Sequence, residues 1–332
     1  MQKGSGISEK AAELPELFFA YSAKLCYTAF IDENHDRSLH MDLCNLNDIH
    51  ALLGRHGFHF SKAMGQNFLI DAAIPQAIAE SCGADEHCGV LEIGPGIGCL
   101  TAQLAQRAGR VAAIELDRRL PPVLAETLAA YDNVHVISGD VLKLDLPAVI
   151  AREFPGLTPL VCANLPYNIT TPVLSALIDS GCFQSLTVMI QKEVAQRICA
   201  APGSSAYGAF SVYMQFYTDP SLLFDVPPEC FTPQPKVTSA VLHAEIRQAP
   251  PVKVSDTAFF FHVVRAAFAQ RRKTLVNGLS SAFGNRLSKS GLQEVLNDCG
   301  FAPSVRGETL GLSEFALLSN HLYDVLNSQT RD

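Results

Sequence analysis

The 332-residue chain has no uninterrupted apolar run approaching the ~18 residues that a helical membrane span requires. Its apolar stretch from Leu17 to Phe30 is broken by Lys24. Glu9, Glu13 and Glu16 precede it, where a secretory signal would carry basic residues, so a cytoplasmic protein is expected. Ligand-spaced thiols are also missing. The ten cysteines include no Cys-x-x-Cys pair and no Cys/His set with zinc spacing, which leaves small buried hydrophobes in a reducing compartment and no metal. His56 and His59 lack a carboxylate or thiol nearby in sequence, and no metal site is expected there either.

A positive balance is absent too: the net charge is −8, which opposes a polyanionic ligand when averaged over the chain. The distribution reverses that conclusion. Between Lys236 and Leu292 nine Lys/Arg face two acids, so this window carries +7 and the remainder −15. An acidic body with a basic end region is the electrostatic pattern of a nucleic-acid-binding surface.

What is present is an alternation. Helical stretches at Ala72–Cys82, Leu100–Ala108, Pro122–Ala130, Pro147–Glu153, Pro172–Ser180 and Glu193–Ala200 separate apolar strands at Val90–Ile93, Val111–Glu115, Val134–Ser138, Leu160–Ala163 and Leu186–Ile190. Short continuous apolar strands with helix-length spacers predict an α/β fold, a parallel sheet covered on both faces. Ser239–Ile246 alternates and predicts a late, half-exposed strand, and the proline-rich Pro227–Pro235 a stiff loop. Pro250-Pro251 marks a boundary. Beyond it lie one long helical pattern, Asp256–Phe283, and two more, Leu287–Cys299 and Ser313–Leu326. The first 40 residues read differently: a loose Gly4–Gly6, a charge-dense Asp32–Arg37, and then an amphipathic helix from Met41. They are expected to be a mobile or non-native extension, with the functional protein starting near Met41.

Glu92-Ile-Gly-Pro-Gly-Ile-Gly98 follows the first strand of the alternation and opens a helix, a position where glycines let a ligand approach the backbone. The dinucleotide fingerprint places a third glycine where this chain has Cys99, so Gly94 and its neighbours suit an amino-acid tail better than a pyrophosphate. Glu115 ends the second strand and is placed to accept both hydroxyls of a ribose. Asp140 follows the third strand and is placed to accept from an adenine amine. Together they favour S-adenosylmethionine over a nicotinamide cofactor. Glu92 and Asp117 either line the site, orient the turn or cap a helix.

Asn164-Leu165-Pro166-Tyr167 follows the fourth strand and is the most specific motif. An exocyclic amine is a poor nucleophile because its lone pair is delocalised into the ring. Acceptors at both N–H bonds favour a pyramidal nitrogen, and the Asn164 oxygen with a backbone carbonyl beside Pro166 supplies two. Pro166 fixes the turn, and Tyr167 can stack on an extruded base. Arg265 and Arg272, seven apart on one expected helical face, with Arg271 and Lys273 beside them, form the candidate phosphate-contacting cluster.

The chain resembles the ribosomal RNA small-subunit adenine N6-dimethyltransferases of the KsgA/RsmA type. The resemblance rests on Gly65-Gln-Asn-Phe-Leu69, Glu92-Ile-Gly-Pro-Gly96, Ile114-Glu-Leu-Asp117, Asn164-Leu-Pro-Tyr-Asn168, Gln191-Lys-Glu193, Phe231-Thr-Pro-Gln-Pro-Lys-Val237 and Gln270-Arg-Arg-Lys-Thr274. It covers about residues 45–325 and none of the first 40. It implies a Rossmann-like class I methyltransferase domain over 41–248 and a small all-helical RNA-binding domain over 249–332. It also implies cofactor contacts at Asn67, Leu69, Gly94, Glu115, Asp140 and Asn164, and Phe231 facing Tyr167 across the target base. The substrate so implied is a pair of adjacent adenines near the 3′ end of 16S rRNA, dimethylated during small-subunit biogenesis; a monomer is the default expectation. Cys99 departs from the Ala or Ser frequent in relatives. Two alternatives stand beside this reading: a large-subunit rRNA adenine methyltransferase that confers antibiotic resistance, and a non-catalytic RNA-binding assembly factor. A DNA adenine methyltransferase is disfavoured because Asp/Asn-Pro-Pro-Tyr and a base-reading module are missing.

Overall fold

The computed structural model describes residues 41–58 and 66–328. The expected N-terminal extension over residues 1–40 lies outside the described residues, as does His59. The first described element, α1 (Leu46–Arg55), is capped by Asn45, whose side chain accepts from Asn47 N and Asp48 N at 2.9 and 3.4 Å. Its buried face is Ile49, Leu52 and Leu53.

After the two-residue β1 (Phe68–Leu69) comes the expected alternation: α2 (Ala73–Ser81), β2 (Cys88–Ile93), α3 (Cys99–Ala105), β3 (Arg110–Glu115), α4 (Pro121–Thr127), β4 (Val134–Ser138), α5 (Leu146–Glu153), β5 (Thr158–Asn164), α6 (Thr170–Asp179), β6 (Ser185–Gln191) and α7 (Lys192–Ile198). The chain continues through α8 (Ala209–Tyr217), β7 (Thr218–Val226), β8 (Phe231–Thr232) and β9 (Ser239–Ile246). It then runs through α9 (Thr257–Phe268), α10 (Leu275–Phe283), α11 (Lys289–Asp298) and α12 (Leu312–Ser328). Among the described residues no helix is long and apolar enough to cross a membrane.

The seven-stranded sheet has the order β4-β3-β2-β5-β6-β9-β7. The β2–β3, β3–β4, β2–β5 and β5–β6 pairs are parallel. All six residues of β2 are buried, as a central parallel strand covered on both faces requires. The order reverses at β2, with β3 on one side and β5 on the other, so a crevice opens at their carboxyl ends where such sheets bind ligands.

Two expectations about the late strands need correction. β9 is not half-exposed: Ser239–Leu242 and Ala244 are buried, because β7 lies outside it and forms the edge. No element is expected from sequence at β7, yet the chain forms an edge strand there, where proline and exposed polar residues are tolerated.

By contact the chain falls into two units. One runs to Gln191 and takes back Leu222–His243; the other comprises Lys192–Ser221 and everything from Ala244 on. The second unit thus includes α7 and α8 as well as the helices beyond the Pro250-Pro251 boundary, where the sequence places one cut near 249. Its core joins Tyr207 and Phe216 to Phe260, Val264, Leu279, Phe315 and Leu322.

The expected helix Asp256–Phe283 is broken. Asp256 caps α9 through Phe259 N at 2.7 Å, and α9 ends at Phe268. Residues 269–274 turn, with Lys273 N bonded to Gln270 O at 2.8 Å, before α10 begins. One more helical turn after Phe268 would place Arg271, four residues after the buried Ala267, on the buried face, and the chain leaves the helix there. Arg265 therefore stands on α9, whereas Arg271, Arg272 and Lys273 stand on the turn, and the seven-residue helical spacing does not exist. All four are exposed. Arg271 is nonetheless engaged: Nη2 donates to Ser205 O at 2.9 Å and Tyr207 O at 3.0 Å and lies 3.7 Å from Glu308.

Candidate active site

In the first unit a cavity of about 270 Å³ opens at the carboxyl ends of the parallel strands. Its walls are Gln66–Leu69, the glycine turn after β2, Glu115 and Leu116 after β3, Gly139–Val141 after β4, and Asn164–Ile169 after β5. Every cofactor and catalytic position singled out in the sequence lines it except Phe231.

The glycine turn is held by Gly94 N bonding Ile114 O at 2.9 Å. Gly94 and Gly96 sit at φ +69° and +61°, in the left-handed region that side chains disfavour. A Cβ on Gly96 would lie 3.1 Å from the Phe68 ring, so the turn and the β1 segment meet where only glycine fits.

Three acids surround that turn. Glu115, 6% exposed at the end of β3, accepts from Asp117 N at 2.7 Å. Burial pushes its pKa up to about 7, although the backbone N–H groups of Asp117, Gly96 and Leu116 favour the anion and Asp117 repels it. Glu92, 1% exposed, is pushed up to about 8, again by burial, with the Thr101 hydroxyl favouring the anion and Glu115 adding repulsion. Its Oε2 is buried with no hydrogen bond of ordinary geometry among the described residues. Asp117 is the opposite case: the Arg119 guanidinium, at 2.6 Å, holds it down to about 2. Asp140 is more open, accepting from Leu142 N at 3.1 Å with Lys143 Nζ at 3.4 Å.

The raised carboxyls give a signed prediction. A buried acid with a raised native pKa contributes stability that is complete below its unfolded value near 4.5 and lost as pH rises through the native one. The ligand-free protein should therefore lose thermal stability from about pH 4.5 upward, the loss levelling off near 7 for Glu115 and near 8 for Glu92. Glu92→Gln, which cannot ionise, should flatten the upper part of that slope in melting curves taken across this range.

Asn164 ends β5 and is partly exposed to the cavity, and no hydrogen bond of its side chain occurs among the described residues. The following backbone is discriminating. Pro166 O is taken by Ile169 N and Thr170 Oγ1, each at 3.2 Å, whereas Leu165 O accepts no bond among the described residues. Leu165 itself is buried and held by its N–H to Met189 O at 3.1 Å. Tyr167 is half-buried, its hydroxyl 2.6 Å from Ser239 Oγ, and burial pushes the phenol pKa up.

Phe231 is not brought to the cavity. It is 3% exposed, pairs with Leu69 across the β1–β8 ladder, and belongs to a core with Val226 and Val241. Sequence reasoning did not name Gln66 and Leu116 as lining residues, although both lie within motifs that carry the resemblance, Gly65–Leu69 and Ile114–Asp117.

Residues 57–314 match the family model described as ribosomal RNA adenine dimethylase. The ribosomal RNA small subunit methyltransferase A of Shouchella clausii (strain KSM-K16) is 48% identical over 291 residues, 87% of this chain and 98% of that protein. Its counterpart in Listeria welshimeri is 49% identical over 282 residues, 84% and 96% of the two chains. Among solved structures, a dimethyladenosine transferase from Plasmodium falciparum superposes with a TM-score of 0.63 at 24% identity, covering 75% of this chain and 95% of that one. The 23S rRNA methyltransferase ErmE gives 0.60 at 23%, covering 77% and 99%. At these identities the two structures speak for the fold alone, a Rossmann-like methyltransferase sheet. The family model spans both the glycine turn and the Asn-Leu-Pro-Tyr segment that meet in the cavity, and the chain belongs to the ribosomal RNA adenine dimethylase family.

Proposed function

We propose that the protein transfers methyl groups from S-adenosylmethionine to N6 of two adjacent adenines near the 3′ end of 16S rRNA, giving N6-dimethyladenines during small-subunit biogenesis. The observation that carries this reading is the pair of acceptors on adjacent cavity residues, Asn164 Oδ1 and Leu165 O, that take no hydrogen bond among the described residues. Pro166 O, the other candidate carbonyl, is already spent within its own turn.

The cavity fits the cofactor on its own terms. Glycines at positive φ leave backbone open to an amino-acid tail, and the buried Glu92 Oε2 has acceptor capacity left for a donor. Asn67, Leu69, Gly94 and Asn164 would line the methionine side, Glu115 would accept from the ribose hydroxyls and Asp140 from the adenine amine. When bound, S-adenosylmethionine supplies a methyl group on a sulfonium. Asn164 and Leu165 accept the two N–H bonds of the target amine, which favours its pyramidal form and frees the lone pair for in-line attack. Tyr167, tethered to Ser239, offers a fixed ring for stacking. No strong base is required, because the proton leaves after the nitrogen has become cationic.

The RNA-facing surface belongs to the second unit. Lys273 shares a polar, acid-free hollow with Gln270, Asn277, Ser280 and Ser281, beside the exposed Arg272. Arg265, Arg272 and Lys273 are assigned to phosphates. Arg271 joins the proposed interface but is also tied to Ser205, Tyr207 and Glu308. The small subunit or its precursor is the partner, met by a monomer in the cytoplasm. Converting Arg272 and Lys273 together to Ala should weaken small-subunit binding about ten-fold and reduce its salt slope by roughly 2, with cofactor binding unchanged.

The decisive experiment is methyl transfer to small subunits lacking the modification, followed by mapping of the product. Label confined to large-subunit RNA would overturn the substrate, and absence of label with the intact protein would overturn catalysis.

A further inference from the structure

Four of the five walls of the cavity grow directly from the carboxyl ends of sheet strands. The fifth, Gln66–Leu69, does not, and something must hold it in place. Its carboxyl half is fixed by the β1–β8 ladder, where Phe68 and Leu69 pair with Thr232 and Phe231 and Ile70 N donates to Cys230 O at 2.9 Å. Its amino half, which carries Asn67, is anchored by Asp117: Gln66 Nε2 donates to Asp117 Oδ2 at 2.8 Å.

Asp117 is itself strongly constrained. Arg119 donates to it from N at 3.1 Å, from Nε at 2.9 Å and from Nη2 at 2.6 Å. The same guanidinium lies 4.6 Å from the Phe58 ring centre, and Phe58 meets Phe68 at 6.3 Å. Asp117 N, meanwhile, donates to Glu115 Oε1 at 2.7 Å. One residue thus ties the ribose-side carboxylate to the wall opposite it.

We propose that Asp117 is a positioning residue that sets cofactor affinity by clasping Gln66 and Arg119, without touching the reacting atoms. Both carboxylate oxygens are in use, one shared by Arg119 N and Nε, the other by Arg119 Nη2 and Gln66. Asparagine carries no charge and offers one acceptor oxygen where the carboxylate offers two, so its bonds to Arg119 and Gln66 lose their charge assistance. The amino half of the wall would then lose its charge-assisted tie to Asp117, while Asn164 and Leu165, at the end of β5, stay as they are.

The proposal rests on the cavity being the S-adenosylmethionine site, and the test separates the two. S-adenosylmethionine and S-adenosylhomocysteine are titrated calorimetrically into wild type, Asp117→Asn and Gln66→Ala, and the KM for S-adenosylmethionine and kcat are measured on undermethylated small subunits. Loss of a charge-assisted hydrogen bond predicts Kd and KM raised about ten-fold in both variants. kcat should stay within about two-fold, and the double variant should be no worse than Asp117→Asn alone. Cofactor affinity equal to wild type in either folded variant would overturn the clasp, as would kcat falling in step with affinity. Should Asp117→Asn fail to fold, Gln66→Ala, which leaves the Arg119 pair intact, decides the matter. A wild-type protein that binds neither compound would overturn the cofactor site and the clasp with it.

Discussion

Asn164→Ala should reduce methyl transfer about a thousand-fold, the scale on which removing one preorganised polar group from a transition state is felt. The target nitrogen must rehybridise before it attacks, and two acceptors at its N–H bonds make that change less costly. Leu165 O would remain after the substitution, but one acceptor leaves the second N–H without its protein partner. The fold should survive, since the Asn164 side chain makes no hydrogen bond among the described residues and the strand is secured through its backbone pairing with β6. Single-turnover transfer to undermethylated subunits, alongside the calorimetric Kd for S-adenosylhomocysteine, measures this. Asn164→Asp, which keeps an acceptor oxygen, should retain more activity than the alanine variant. Equal transfer by Asn164→Ala and wild type would remove Asn164 from the chemistry.

The second large effect is expected at Gly96, where Val should weaken cofactor binding about a hundred-fold. The first cause is conformational: φ of +61° costs a β-branched residue on the order of 1–3 kcal/mol. The second is steric, because the new Cβ would meet the Phe68 ring at 3.1 Å and Phe68 is buried, so the ring has little room to yield. Gly181 provides the control. It has φ +64° and nothing within 4 Å of where a Cβ would stand, so Gly181→Val incurs the backbone cost away from the cavity. That variant should lose melting temperature and keep its cofactor affinity. Equal affinity loss in both would mean that general destabilisation, not the turn, is responsible.

Much of the fold is legible in the sequence because parallel strands buried on both faces are continuous apolar runs, and every such run between residues 90 and 190 is a strand. The site is legible for a related reason: the glycine turn, Glu115, Asp140 and Asn164 follow successive strands, and the sheet topology brings all strand ends to one edge. What escapes depends on long-range partners. β7 carries a proline and exposed polar residues, and only its place at the edge makes it a strand. The break before Arg271 is signalled by five polar residues in a row, but the apolar positions on either side are seven apart and mimic one continuous helix. Phe231 is expected beside the base, and the pairing that buries it joins segments far apart in the chain. The clasp at Asp117 is made of side-chain contacts to residues 51 and 2 positions away, of which no pattern in the sequence speaks.

The β1–β8 ladder bears on how the molecule is made. It consists of two residue pairs and closes a loop between positions 69 and 231. A ladder so short returns little for the chain entropy of so distant a closure, so it forms only on a sheet already assembled. During synthesis the strands that carry the glycine turn and Asn164 emerge long before residue 231 does. The nascent protein therefore passes through a stage with its motifs in place and the carboxyl half of one cavity wall still unpaired, and it should reach its full ligand affinity only after that late segment has docked.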